Sequence, residues 1–252
     1  MKVLLRIAFL GKAYCGYQVQ PNGVTVQQKL NEAAKALFGF ECDIVGCSRT
    51  DSGVHANEFC VAVTKKGENF LETSVPIAKI PQAMSFWLPT DISVLSAESV
   101  DDTFHPRYDV KYKEYVYQIW NNSSRNPFLA DRSWHCPKKI DDDGFSAMQR
   151  AAEFLKGRHD FSSFMAADSK IKDTVRTVFD AEVIRNGNLI SFRVCADGFL
   201  YNMVRIFVGT LLDVAYKKIQ PEDIVVIINS HNRKMAGSTA PPEGLFLNRV
   251  VY

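Results

Sequence analysis

Residues 174–195 read TVRTVFDAEVIRNGNLISFRVC. Two apolar runs, Thr174 to Ile184 and Leu189 to Cys195, flank Asn186-Gly187, a dipeptide that favours the type I′ turn of a tight hairpin. The segment therefore reads as paired antiparallel strands, which argues against a doubly wound parallel sheet. Beyond it lie an apolar helix over Tyr201 to Tyr216, a short helix over Pro221 to Ile228 and a closing strand over Leu245 to Val251. Before it, Asp141-Asp142-Asp143 places negative charge at the start of a helix. Phe145, Met148, Ala152 and Leu155 line the inner face of that helix, and Gly157 ends it. Further back, Tyr108 to Trp120 reads as a long strand. There Val110 and Tyr112 share a face with Tyr115, Tyr117 and Ile119 only if a bulge intervenes.

The first half follows the same logic. Val3, Leu5, Ile7 and Phe9 alternate as in a strand. Thr25 with Gln28 forms a capping box, Val26, Leu30, Ala33, Ala34 and Leu37 recur at helical spacing, and Gly39 stands at C′. Strands follow at Ile44-Val45, Phe59 to Val63 and Ile92 to Val100, with a helix over Pro76 to Leu88 that Pro81 perturbs. The order is β-α-β-β-α-β-β, then β-α-β-β-α-α-β. This is α+β organisation: two fused α/β halves, 1–105 and 106–252, with largely antiparallel mixed sheets and a ligand cleft expected between them.

The 252 residues are 46% hydrophobic and 23% charged, with 14 Gly and 10 Pro, which excludes disorder and collagen-like structure. Six cysteines, with no C-x-x-C pair, are too sparse for a disulfide scaffold and fit reduced, mostly buried thiols. Arg6 interrupts the apolar start where a signal peptide needs an unbroken run, and no window approaches the ~18 apolar residues of a membrane span. A cytoplasmic protein is the expectation.

Dinucleotide, P-loop, zinc-protease and hydrolase-elbow motifs are missing, and the five histidines are scattered. Three places stand out. In Arg49-Thr50-Asp51-Ser52-Gly53-Val54-His55, Gly53 allows a positive φ, Thr50 and Ser52 can bond the backbone, and Asp51 can be aimed into a cleft. The same residues could equally tie down an Asx-type turn. In Phe199-Leu200-Tyr201-Asn202-Met203-Val204-Arg205, the arginine lies beside a buried face of Leu200, Val204, Phe207, Val208 and Leu211. It must meet a carboxylate, for which Asp51 is the candidate, or snorkel to solvent. Third, Tyr108, Tyr112, Tyr115, Tyr117 and Trp120 interleave with Arg107, Lys111 and Lys113. That mixture suits stacked bases and phosphates, and is also ordinary strand composition.

These places resemble the tRNA pseudouridine synthases of the TruA type. The resemblance covers essentially the whole chain: Gly16-Tyr17-Gln18 with Thr25-Val26-Gln27, Arg49 to Ala56, Phe104-His105-Pro106-Arg107, and Lys113-Glu114-Tyr115-Val116-Tyr117. It continues through Asp160 to Phe164, Arg176-Thr177, Gly198 to Arg205 and Ala240-Pro241-Pro242-Glu243-Gly244-Leu245. Departures are mild: Ser48 and Ser52 replace commoner small residues, Tyr17 a frequent Trp, and Glu58 lies near a usual Gln. The resemblance implies RRM/ferredoxin-like halves with a central RNA-binding cleft, a homodimer, and no metal or organic cofactor. It implies conversion of uridine to pseudouridine at nucleotides 38, 39 and 40 in the anticodon arm of tRNA. Asp51 would be the catalytic carboxylate and Tyr115 the ring stacking on the target base. Arg205 would pair with Asp51, and Arg49 would hold the target nucleotide out of its stack.

Chemically, an ionised carboxylate can attack C1′ or remove a 2′ proton, and a nearby arginine favours ionisation. A non-catalytic RNA-binding module and a nucleosidase remain the alternatives. The net charge of +2 hides a local surplus: between Arg107 and Lys139 there are seven Lys/Arg (107, 111, 113, 125, 132, 138, 139) against three acids (109, 114, 131).

Overall fold

The computed structural model describes residues 1–167 and 171–252. It divides into two compact units, residues 1–111 with 246–252, and residues 112–245.

In the first unit β1 (Lys2–Phe9), α1 (Val26–Phe38), β2 (Cys42–Gly46), β3 (His55–Lys65), α2 (Ile80–Ser85) and β4 (Ile92–Val100) follow in a βαββαβ order. β1 runs antiparallel to β3 (Leu5 opposite Val61) and to β4 (Leu5 opposite Ala97), and β2 pairs antiparallel with β3 (Ile44 opposite Val63). The spatial order β4-β1-β3-β2 is the ferredoxin-like arrangement. Val3, Leu5, Ile7 and Phe9 are all buried, and α1 covers the sheet with Val26, Leu30, Ala33 and Ala34. Local chemistry sets the ends of α1: Thr25 accepts the Gln28 N–H at 3.2 Å, and Gly39 closes the helix at φ 79°. The other face of β1 carries Arg6, paired with Glu58 at 2.8 Å and Glu98 at 3.4 Å.

The second unit contains β5 (Tyr112–Trp120), β6 (Trp134–His135), α3 (Asp142–Glu153), β7 (Gly157–Asp160), β8 (Val175–Asn186), β9 (Leu189–Ala196), α4 (Met203–Ala215) and α5 (Asp223–Ser230). Its sheet runs β5-β9-β8-β7, all antiparallel, with β6 parallel beside β5. α3 packs on α4 and β8. The centre is aromatic: Phe161, Phe164 and Phe192 meet Phe207 edge-on at 5.5, 4.9 and 6.4 Å. Asp141 caps α3 by accepting the Gly144 N–H at 2.7 Å, as its acidic start suggests.

Four expectations change. The closing strand, β10 (Leu245–Val251), pairs in parallel with β3, Phe246 opposite His55, so residues 246–252 join the first unit and the break falls after 111 rather than 105. Pairing between residues far apart in the chain overrides chain order here, and the Lys111 N–H also donates to the Val251 carbonyl at 2.8 Å. The strand expected from Tyr108 starts at Tyr112; residues 105–109 form a turn, and no bulge is needed because Tyr112 faces away from Tyr115 and Tyr117. The hairpin turn is Gly187-Asn188, one residue later, because Asn186 pairs with Leu189. Positive φ occurs only at Gly187, the II′ rather than the I′ pattern. The helix over Pro76–Leu88 shortens to Ile80–Ser85 behind a 3₁₀ turn, with Pro81 in its first turn, where its missing N–H costs nothing.

All six cysteines are free, and five are buried. Among the described residues no helix is long and apolar enough to cross a membrane.

Candidate active site

Between β2 and β3 the chain turns through Cys47–Val54, and this loop carries Asp51 and Arg49. Its two ends are fixed by the strands: the Cys47 N–H donates to the Cys60 carbonyl at 2.8 Å, and His55 is 1% exposed. His55 Nδ1 accepts the Gly11 N–H at 2.9 Å, and its ring stacks on Phe246 at 4.7 Å. This histidine is therefore structural, holding the loop's exit.

The middle of the loop is held by residues 11–17. The Tyr14 carbonyl accepts both the Gly53 N–H at 3.4 Å and the Ser52 hydroxyl at 3.2 Å, while the Thr50 carbonyl accepts the Tyr17 N–H at 3.3 Å. Tyr14 is itself anchored, its hydroxyl donating to Asp91 at 2.5 Å; burial and that carboxylate both push its pKa up. The Asp51 carbonyl accepts the Val54 N–H at 3.2 Å, closing a turn in which Gly53 takes φ 81°. Gly16, at φ 78°, lets the two segments touch, since a Cβ there would stand 2.5 Å from the Thr50 oxygen. The Thr50 hydroxyl is buried without a hydrogen-bond partner among the described residues. Asp51 is half-buried and Arg49 exposed. A carboxylate on a loop pinned at five points is preorganised, which is what a reacting group needs.

In the second unit Tyr115 sits on β5 opposite Val194, 6% exposed, with Phe199 edge-on at 4.9 Å. Tyr117, on the same face, is fully buried, and its hydroxyl donates to the Pro241 carbonyl at 2.7 Å; burial and Glu243 raise its pKa. Gly244 presses on that ring, where a Cβ would come within 2.6 Å. The aromatic series is thus not one stacking platform: Tyr117 is a core residue, Tyr112 faces the other side, and Tyr108 lies outside the strand, 76% exposed.

Arg205 is half-buried in the first turn of α4. Its Nε donates to the Ala240 carbonyl at 2.7 Å, its Nη1 donates to Asn202 Oδ1 at 2.7 Å, and its own carbonyl accepts the Ala240 N–H at 3.1 Å. Asn202 can turn its side chain this way because it takes the left-handed conformation at φ 61°. The segment before Ala240 approaches α4 closely: a Cβ on Gly209 would stand 1.8 Å from the Ser238 oxygen, and the Gly237 N–H donates to the Thr210 hydroxyl at 2.9 Å. These contacts explain why the Ala240-Pro241-Pro242 and Asn202 motifs accompany Arg205. From sequence alone these stretches stand out only as motif matches. The support that Gly11, Tyr14 and Gly16 give the Asp51 loop is not legible in the sequence beyond the glycine spacing. Among the described residues no three His, Cys, Asp or Glu come together as a metal-binding group.

The first unit thus carries a polar loop with a carboxylate, and the second, by itself, carries an arginine held by Asn202 and Ala240 and the Tyr115–Phe199 pair. The family model described as tRNA pseudouridine synthase matches residues 151–252. A protein of Thermoanaerobacter sp. (strain X514) named tRNA pseudouridine synthase A is 42% identical over 250 residues, covering 99% of both chains. Its counterparts by name in Acetivibrio thermocellus and Bacillus licheniformis are also 42% identical. They cover 99% and 100% of this chain and 99% of their own. The chain belongs to the tRNA pseudouridine synthase A family, whose members are isomerases. A solved structure of a Cbf5-Nop10-Gar1 complex is similar at a TM-score of 0.39 and 15% identity, over 97% of this chain and 48% of that one, a likeness too loose to bear on the site.

Proposed function

We propose that this protein isomerises uridine to pseudouridine at nucleotides 38, 39 and 40 of the tRNA anticodon arm, with Asp51 as the catalytic carboxylate. The observation that carries the reading is the pinned Cys47–Val54 loop, which holds Asp51 half-exposed while its neighbours satisfy the backbone. A base inside a stem is unreachable, so the target is flipped out, at a cost of a few kcal/mol. Stacking on Tyr115 offsets part of that cost, and Arg49 keeps the nucleotide from re-entering its stack. Asp51 then either attacks C1′ or removes the 2′ proton to give a glycal. Both routes break the C1′–N1 bond, and the detached uracil rotates and rejoins through C5, displacing the Asp51 carboxylate from C1′ on the first route and with the proton returned to C2′ on the second. The C5 proton leaves and N1 gains a proton, so the product is an isomer with no co-reactant. Arg205 supplies the cation that favours ionised Asp51. No metal or organic cofactor takes part in this scheme. The protein works in the cytoplasm as a homodimer; light scattering of the purified chain tests the dimer, and cell fractionation the location.

Asp51→Asn tests the chemistry. It should bind an anticodon-arm RNA as tightly as the wild type yet leave no pseudouridine in carbodiimide–primer-extension mapping. Pseudouridine formed by Asp51→Asn at the wild-type rate would overturn the assignment. Release of free uracil by the wild type would point to a nucleosidase.

A further inference from the structure

We propose that a cavity in the first unit, bounded by Arg49, Arg107 and Tyr108, is a nucleotide subsite. It takes one unstacked base of the RNA strand beside the flipped uridine, together with its phosphate. The cavity encloses about 210 Å³ and is lined also by Tyr17, Ser48 and His105. Sites that engulf a free drug-sized ligand run to roughly 300–1,000 Å³. This one holds a single base or phosphate, which suits a piece of a polymer that continues outside.

The lining chemistry agrees. Arg49 and Arg107 are exposed guanidiniums able to fork onto a phosphate. Tyr108 is 76% exposed, yet one side of its ring is already occupied: the His105 imidazole stacks on it at 4.2 Å and 26°. The other side is a stacking platform for a base. The wall is built before any ligand arrives. His105 Nδ1 accepts the N–H groups of Arg107 and Tyr108 at 3.1 and 3.3 Å, and the Asp109 carboxylate accepts the His105 N–H at 2.8 Å. The Pro106 carbonyl accepts the Tyr252 hydroxyl at 2.8 Å, tying the turn to the end of the chain. Preorganisation of this kind lowers the ordering cost of binding. Position follows from the chain: Arg49 is two residues from Asp51 on the same loop, so a nucleotide gripped here neighbours the reacting one. The subsite gives the Phe104-His105-Pro106-Arg107 motif a role that the chemistry at Asp51 leaves open, and it rests on that proposed reaction for the identity of the RNA.

A binding cycle read by fluorescence anisotropy tests it. Wild type and Tyr108→Ala are titrated with an intact anticodon arm and with arms carrying one abasic nucleotide at each position flanking the target. Tyr108→Ala should weaken binding of the intact arm about 10-fold, in the range of one lost stacking platform. One abasic arm should weaken the wild type similarly, and the two losses should not add. Arg107→Ala should lower the slope of log affinity against log salt by about one phosphate contact. Intact-arm affinity unchanged in Tyr108→Ala, or additive losses at every abasic position, would overturn the subsite, as would an unchanged salt slope in Arg107→Ala. Pseudouridine is scored on the wild-type intact arm in parallel. Tight binding without product there condemns the proposed reaction and leaves the subsite to the cycle.

Discussion

Gly16→Ala offers a direct measure of how closely the Asp51 loop must be held. Two costs can be worked out. The residue takes φ 78°, where an alanine loses roughly 1–2 kcal/mol to the clash of Cβ with its own backbone. The added Cβ would also stand 2.5 Å from the Thr50 oxygen, 3.4 Å from the Asp51 carbonyl carbon and 3.5 Å from the Ser52 nitrogen. Real Cβ contacts start near 3.0 Å, so the loop must retreat by about 0.5 Å along its Asp51 segment. A misplacement of about 1 Å can cost about 100-fold in rate, so half of that predicts about 10-fold. Gly39→Ala is the control. It has the same left-handed φ, 79°, at the end of α1, but nothing lies within 4 Å of its Cβ. Both variants should lose about 2–8 °C in melting temperature, at roughly 2–4 °C per kcal/mol. Only Gly16→Ala should lose the chemical step, measured as single-turnover pseudouridine formation with enzyme in excess. Equal single-turnover rates for the two variants would refute the claim that Gly16 matters through Asp51.

Thr25→Ala removes the buried cap of α1 and should cost about 1 kcal/mol in urea unfolding, with Thr25→Ser restoring most of it. Tyr115→Phe keeps the ring and its edge contact with Phe199, so single-turnover activity should stay within a few-fold. Complete loss would assign the hydroxyl a part in proton transfer. Asp141 is held below the usual carboxylate range first by the Gly144 N–H and then by Lys217. A lowered folded-state pKa stabilises the fold above the unfolded value near 4 and loses that contribution as pH falls through the folded one. The stability advantage of wild type over Asp141→Asn should therefore be present at pH 7 and shrink on acidification towards pH 3. A gap independent of pH would show that the cap acts without its charge.

The elements legible in the sequence are those fixed by interactions a few residues long. Thr25 and Gly39 bound α1, and Asp141 opens α3, because a cap bonds three residues away and needs no tertiary partner. The alternating strand Ile92–Val100 and the short apolar strand Leu245–Val251 also appear where their pattern puts them. The Arg49–His55 loop was conspicuous because polar residues and glycine interrupt two apolar strands. Tertiary structure decided the rest. Whether β10 belongs with its chain neighbours or with β3 turns on hydrogen bonds between residues nearly two hundred apart, which no local pattern encodes. The support of Asp51 by Tyr14 and Gly16, the grip of Asn202 and Ala240 on Arg205, and the His105–Tyr108 wall beside Arg49 are likewise long-range contacts or turn geometries. Residue types and their order determined which chemistry was available to this chain. Close packing of distant backbone, down to the few glycines that permit it, decided where the Asp51 loop and the Arg205 side chain are held.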